Sequence, residues 1–254
     1  MIVHYHNYED ADKDVILNKN FFKLYNELCP GPITFILKKK FKSKISNLVT
    51  ANLNTVAVRF PKHKSIRSIL KKINFPLAIP SANKSGGISP VESKDVSEEF
   101  GKKLKLIVDG GKCRIGIEST VVDLSDKLRI LRPGIISSKK ISKIIKAKII
   151  IKKKFNKIKS PGSFKKHYSP GIPIRLNQKK PSKKGAFITF GKKYSKSKNV
   201  FNLSKKSNLN EAAKNLYSIF RKIKKMKYKK ICIIKIPNKD VGIAINNRLK
   251  HAAS

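Results

Sequence analysis

The apolar run Phe75 to Ile79 leads directly into Pro80-Ser81-Ala82-Asn83-Lys84-Ser85-Gly86-Gly87-Ile88-Ser89-Pro90. A short apolar run that ends in a turn dense with Ser, Asn and Gly is how a buried strand hands its carboxyl end to a ligand-binding loop. Small hydroxyls and an amide suit phosphate or carboxylate binding. Other segments repeat the pattern. Thr55-Val-Ala-Val-Arg59-Phe-Pro61 puts Thr55, Ala57 and Arg59 on one strand face, and its proline leaves Arg59 near the strand end. A guanidinium there can clamp a carboxylate with two parallel hydrogen bonds, although a surface arginine on a strand would look the same in sequence. Asp109-Gly-Gly through Thr120 carries three glycines into a further strand, Leu131-Arg-Pro-Gly134 ends a strand on an arginine, and His167-Tyr-Ser-Pro170 sets an aromatic ring and a hydroxyl where they could close over a nucleotide.

Around these loops the chain mixes helices and strands without strict alternation. Strands are expected at Ile33 to Leu37, Thr55 to Phe60, Pro76 to Ile79, Leu104 to Val108, Thr120 to Leu124 and Arg129 to Leu131, and helices at Phe21 to Leu28, Ile66 to Ile73 and Val91 to Phe100. That is an α/β domain with a mixed sheet. From Ser138 the composition turns Lys- and Ile-rich and reaches Ser160-Pro-Gly-Ser163, which has linker chemistry. Beyond it, a strand at Gly185 to Phe190, a helix at Asn210 to Lys225, a strand at Ile231 to Ile236 and a helix at Val241 to Ala252 form a small doubly wound unit. The expected division is 1–137, a linker 138–170, and 171–254.

The net charge of +44 over 254 residues points at first to a nucleic-acid binder. Only 8 of the 59 basic residues are arginine, however, and Ile and Asn are abundant as well. A bias toward AT-rich codons accounts for much of such a charge, and bidentate phosphate recognition would have favoured arginine. Neither an apolar run long enough to span a bilayer nor a signal-peptide pattern is present, so a cytoplasmic location is expected. Cys29, Cys113 and Cys232 are far apart, which argues against a disulfide framework or thiolate metal site. His4 and His6 alternate as strand residues do, without a third ligand at metal spacing.

Taken in order, Cys29-Pro-Gly-Pro-Ile-Thr34, Thr55 through Pro61, Pro80 through Pro90, Asp109 through Leu124, Leu131 through Gly134, His167 through Pro170 and the terminal Gly242-Ile-Ala-Ile-Asn-Asn-Arg-Leu-Lys-His-Ala-Ala253 resemble the signature set of the YrdC-like threonylcarbamoyl-AMP synthases in their long form. The resemblance implies a mixed twisted YrdC-like sheet with flanking helices, plus a small Rossmann-like C-terminal α/β domain. It implies a nucleotidyltransferase that joins L-threonine, bicarbonate and ATP into threonylcarbamoyl-AMP and pyrophosphate, and that passes its product to the machinery forming threonylcarbamoyladenosine beside the tRNA anticodon. By resemblance His4, Arg59, Ser81 and Ser119 hold L-threonine, Thr55, Asn83, Ser89, Arg132 and Tyr168 contact ATP, Mg²⁺ arrives with the ATP phosphates, and no residue is a covalent nucleophile.

One departure stands out. The family begins with a Thr-rich segment and a Lys-x-Arg-Pro motif that grips the triphosphate, whereas the present sequence opens at Met1-Ile-Val-His4. About 60 family residues, with those two cations, have no counterpart, so the expectation is a chain that is poorly active by itself. The other functional class in view is a non-catalytic YrdC-like protein that contacts tRNA through its basic surface.

Overall fold

The computed structural model describes residues 1–151, 167–180, 182, 184–194 and 197–254. Two compact units emerge, one from Met1–Pro80 and Glu118–Ser163, the other from Ser81–Ile117 and Phe164–Ser254.

The first unit is built on a seven-stranded mixed sheet. Its strands are β1 (Ile2–His4), β2 (Ile33–Lys38), β3 (Thr55–Arg59), β4 (Leu77–Ile79), β5 (Thr120–Asp123), β6 (Arg129–Arg132) and β7 (Ile150–Ile151), in the order β4-β1-β3-β2-β5-β6-β7. The β1–β3, β2–β5 and β6–β7 pairs are parallel, whereas β1–β4, β2–β3 and β5–β6 are antiparallel. Because side chains alternate across a strand, the register decides which residues share a face. Helices α1 (Tyr8–Asp12), α2 (Lys19–Leu28) and α6 (Ser138–Ile145) belong to this unit, as do the short α3 (Asn47–Thr50) and α4 (Lys64–Lys72). Helix α2 starts where the Asn18 side chain accepts from the Phe21 amide at 2.9 Å, and it buries Phe21, Leu24 and Leu28 at helical spacing. Phe21 meets Phe35 of β2 edge to face with ring centroids 5.1 Å apart, and Tyr25 meets Phe60 in the same way at 4.9 Å. With Val3, Val56, Val58, Val122 and Ile130 these rings form the main core, in which each fully buried large side chain contributes about 1.5–3 kcal/mol.

Helix α6 departs from the expected linker. Ser137 caps it and Ile141 and Ile145 are buried, so residues 138–145 pack into the core, and β7 then extends the sheet. A Lys/Ile-rich composition conceals a one-sided apolar stripe, and the stripe decides the structure. Residues 152–166, which include the expected Ser160–Ser163 turn, lie outside the described residues.

The second unit carries a four-stranded parallel sheet in the order β10-β9-β11-β8, formed by β8 (Ile174–Arg175), β9 (Ala186–Thr189), β10 (Val200–Asn202) and β11 (Ile231–Ile233). Helix α7 (Leu209–Lys225) buries Ala212, Ala213, Leu216, Tyr217, Phe220 and Ile223, and α8 (Val241–Ala253) buries Ala244, Ile245 and Leu249. Asn208 caps α7 by accepting from the Glu211 amide, and Lys222, Lys224 and Lys225 in its last turn complement the helix dipole. The unit also takes in α5 (Ser93–Phe100) and the loops on either side of it. The strand expected over Leu104 to Val108 does not form. Leu104, Leu106 and Val108 stand exposed in an extended segment with no ladder partner among the described residues.

Candidate functional site

Register places the first group of expected site residues together. His4 of β1 and Thr34 of β2 are both direct partners of Arg59, the last residue of β3, so the three share a face at one end of the sheet. That face continues through a small apolar cluster of Ile2, Ile36, Ala57, Val121 and Leu131. Ser119 directly precedes β5, and Arg132 ends β6, where the register shift between Val121 and Val122 sets it opposite Val121.

These side chains form a connected polar set. Arg132 donates from Nε to the Ser119 carbonyl at 3.1 Å and from Nη2 to the Ser119 hydroxyl at 3.0 Å. The Ser119 and Thr34 hydroxyls lie 2.8 Å apart, both buried. Arg59 keeps a buried Nε without a hydrogen-bond partner. Among the described residues neither Arg59 nor Arg132 has a carboxylate within ion-pair distance. Burial first, and then the charge of Arg132, pull the Arg59 pKa below its ordinary value. A half-buried guanidinium and a buried one that repel one another and lack an acidic partner make a site suited to an anion. The same surroundings act on neighbours: burial, reinforced by Arg59, holds His4 down at about 4, and burial pushes the Cys29 thiol up to about 12. His4 is therefore neutral at physiological pH, with Nδ1 3.2 Å from the Ile2 carbonyl.

The turn after β6 is held against this group. A Cβ on Gly134 would come within 2.4 Å of the Thr120 amide and 2.8 Å of the Glu118 carbonyl, and the Thr120 hydroxyl exchanges hydrogen bonds with the Ile136 backbone at 2.9 and 3.1 Å. Glycine at 134 thus lets the Arg132 turn close on the segment that carries Ser119.

Thr55 shares the Arg59 face but lies four residues back along β3, roughly 13 Å away at about 3.3 Å per residue. It stands opposite Lys38 and lines a depression with Lys39, Asn54 and Ser125. A cavity of about 610 Å³ lined by Val3, Tyr5, Leu70, Phe75 and Ala78 opens on the other face of the sheet, so cavity size does not single out the charged site.

The remaining expected site residues belong to the second unit. Ser81 is exposed, and Ser89 is buried. Asn83 donates from Nδ2 to the Lys84 carbonyl at 2.8 Å and leaves a buried Oδ1 unpaired. Tyr168 is 1% exposed, with a positive φ of 63°. Its ring stacks on Tyr217 at 5.9 Å and lies 4.0 Å from the His167 ring and 5.1 Å from the Arg248 guanidinium carbon. It is packed as a core aromatic of its own unit rather than displayed on a linker. His6 leaves β1 and meets Arg67 at 3.2 Å, away from His4. Thr34 was the residue without an assigned role; a hydroxyl in an otherwise apolar strand, two positions before Ile36, was the available signal.

No group of three or more His, Cys, Asp or Glu side chains among the described residues is arranged to hold a metal ion. No helix among them is long and apolar enough to cross a membrane.

Two family models cover almost the whole chain. One, described as telomere recombination, matches residues 1–134, and one described as threonylcarbamoyl-AMP synthase, C-terminal domain, matches residues 136–254. Threonylcarbamoyl-AMP synthase of Pyrococcus abyssi is 32% identical over 244 residues, which is 88% of this chain and 71% of that protein. The Bacillus subtilis protein of the same name is 32% identical over 91% of this chain and 72% of its own length. Among solved structures, P. abyssi Sua5 complexed with L-threonine superposes with a TM-score of 0.87 at 30% identity, covering 99% of this chain and 79% of that one.

Proposed function

The chain belongs to the threonylcarbamoyl-AMP synthase family, enzymes of the nucleotidyltransferase type that serve tRNA modification, and from that premise we propose that it makes threonylcarbamoyl-AMP from L-threonine, bicarbonate and ATP. The observation that carries this reading is the Arg59–Arg132 pair, half-buried and buried respectively, with no carboxylate of its own, whose Arg132 is joined through Ser119 to Thr34. A free amino acid brings the carboxylate such a pair needs, and the P. abyssi relative is known with L-threonine bound.

In this reading Arg59 takes the threonine carboxylate, while Ser119, Ser81 and neutral His4 complete the amino-acid pocket. The threonine amine combines with bicarbonate, losing water, to give a carbamate. One carbamate oxygen then attacks the α-phosphorus of ATP, the bond from that phosphorus to the bridging oxygen breaks, and its electron pair leaves with pyrophosphate. Attack on phosphorus depends chiefly on placement and on neutralising the charge that develops, so cations and fixed donors suffice without a covalent nucleophile. Arg132, Thr55, Asn83 and Ser89 are assigned to the nucleotide, whereas the enclosed Tyr168 supports the fold of its own unit, and Mg²⁺ enters with ATP as part of that substrate. The product is a reactive mixed anhydride, suited to immediate transfer onto a tRNA adenosine, and the cytoplasm is the expected setting. Incubation with labelled bicarbonate, ATP and threonine should yield a labelled adenylate; label that enters an adenylate equally well without threonine overturns the assignment.

A further inference from the structure

The loop that carries Asn83 and Ser89 has no strand ladder to fix it, and three side chains hold it in place. Arg221, on the fourth turn of α7, donates from Nη2 to the Ile88 carbonyl at 2.8 Å and to Glu99 Oε2 at 3.2 Å. Its Nε lies 3.4 Å from Asp95 Oδ2. Each of these carboxylates in turn accepts from the loop backbone: Glu99 Oε1 from the Lys84 amide at 2.5 Å, and Asp95 Oδ2 from the Val91 amide at 2.8 Å. The side chains of Arg221, Asp95 and Glu99 are 14%, 6% and 17% exposed, so the cluster is largely shielded from screening solvent.

This arrangement grips the loop at Lys84 beside Asn83, at Ile88 beside Ser89, and at its exit at Val91. Between the grips the Gly87 amide closes on the Lys84 carbonyl at 2.9 Å, and Ser169 donates to the Gly86 carbonyl at 2.9 Å. Ordering a serine- and glycine-rich loop costs conformational entropy that a ligand would otherwise have to offset on binding. One guanidinium that donates to a carbonyl and to one carboxylate and lies at ion-pair distance from a second, with each carboxylate already holding a loop amide, removes part of that cost beforehand. It also ties the loop to α7, 133 residues away in sequence.

We propose that Arg221 is a positioning residue, through which the C-terminal α/β unit holds the Asn83–Ser89 loop in its nucleotide-binding form. The inference rests on the assignment of that loop to ATP, and it gives the C-terminal unit a part in nucleotide affinity through a single charged cluster. The neutral Arg221→Met keeps the length and apolar stem while losing all three polar contacts. Arg221→Lys keeps the charge and can satisfy one or two of them.

Two measurements on the full chain test this. Hydrogen exchange should show faster exchange at the Lys84 and Val91 amides in Arg221→Met, with the amides of β9 and β11 unchanged. ATP titration and steady-state assay should give a KM or Kd for ATP raised about tenfold in Arg221→Met, partly restored in Arg221→Lys, with the threonine KM within twofold of wild type. A role confined to stability would instead lower the fraction of active protein and the melting temperature while leaving both KM values alone. That result, or a parallel rise of both KM values, overturns the proposal. If the wild-type chain forms no adenylate, the functional reading falls separately. The exchange arm still decides whether Arg221 holds the loop, since unchanged exchange at Lys84 and Val91 contradicts it.

Discussion

Replacing Arg59 with Met separates the binding role of this arginine from any structural one. Arg59 is desolvated and repelled by Arg132, and its Nε is unpaired, so the folded state without ligand gains little from its charge. Replacement of buried ionic groups by apolar side chains of similar volume is often neutral or stabilising by about 1–4 kcal/mol. The ligand-free Arg59→Met protein is therefore expected to melt at or above the wild-type temperature. Threonine binding should respond in the opposite direction. Removing one partner of a buried charged hydrogen bond costs about 2–5 kcal/mol, or roughly 30-fold to a few thousand-fold in Kd. For the wild type, threonine at about 100 times its Kd adds about 2.7 kcal/mol of stability. At about 2–4 °C per kcal/mol for a chain of this size, melting rises by roughly 5–10 °C. With Kd raised about 100-fold at the same concentration, the gain falls to about 0.4 kcal/mol, roughly 1 °C. Thermal melts with and without threonine, combined with calorimetric titration, read both quantities. A ligand-free melting temperature that drops as for a core truncation, with threonine affinity unchanged, would refute the anion-site reasoning.

Tyr168→Ala should destabilise by about 3–5 kcal/mol, because the ring is fully enclosed by Tyr217, His167 and Arg248; a melting temperature within 2 °C of wild type, with roughly that precision, would return Tyr168 to a display role on the linker. His4 is neutral in the fold down to about pH 4, whereas in the unfolded chain it takes up a proton near its ordinary 6.5. The unfolded state thus binds the proton first, and stability should fall as the pH drops below about 6.5, levelling off below about 4 after a loss of about 3 kcal/mol. His4→Gln should flatten that part of a pH–stability curve, and an identical curve in the variant would contradict the assignment. Gly134→Ala forces a Cβ onto the Thr120 amide and the Glu118 carbonyl, and should cost about 1–3 kcal/mol while weakening threonine binding through displaced Ser119; calorimetry with unchanged threonine affinity would count against that coupling.

Period-2 and period-3.6 patterns made most elements readable from the sequence. The strand at Thr55 is bounded by a proline, and α7 carries an apolar stripe with a capping asparagine, so both fall where the pattern puts them. The elements that escaped have physical reasons. Leu104 to Val108 has the alternation of a strand, but alternation alone does not make one, and the segment pairs with none of the described strands. Helix α6 was hidden by a lysine-rich composition that disguises its two buried isoleucines. At the site, Arg59, Ser119 and Arg132 were legible because strand ends that carry polar residues are recognisable one at a time. Their connection was not, since Thr34 meets Ser119 across 85 residues and the bulge in β5–β6 sets the position of Arg132. Tyr168 shows the converse: a polar aromatic in a loop motif gives no sign that three partners, the furthest 80 residues away, enclose it.

The most direct test of the proposed reaction is ATP-dependent pyrophosphate release by the full chain, with L-threonine and bicarbonate each present or omitted. The account predicts release that requires both, is lost in Arg59→Met, and is accompanied by one equivalent of adenylate. Release that proceeds equally well without threonine or bicarbonate, or that survives the loss of Arg59 unchanged, would contradict it.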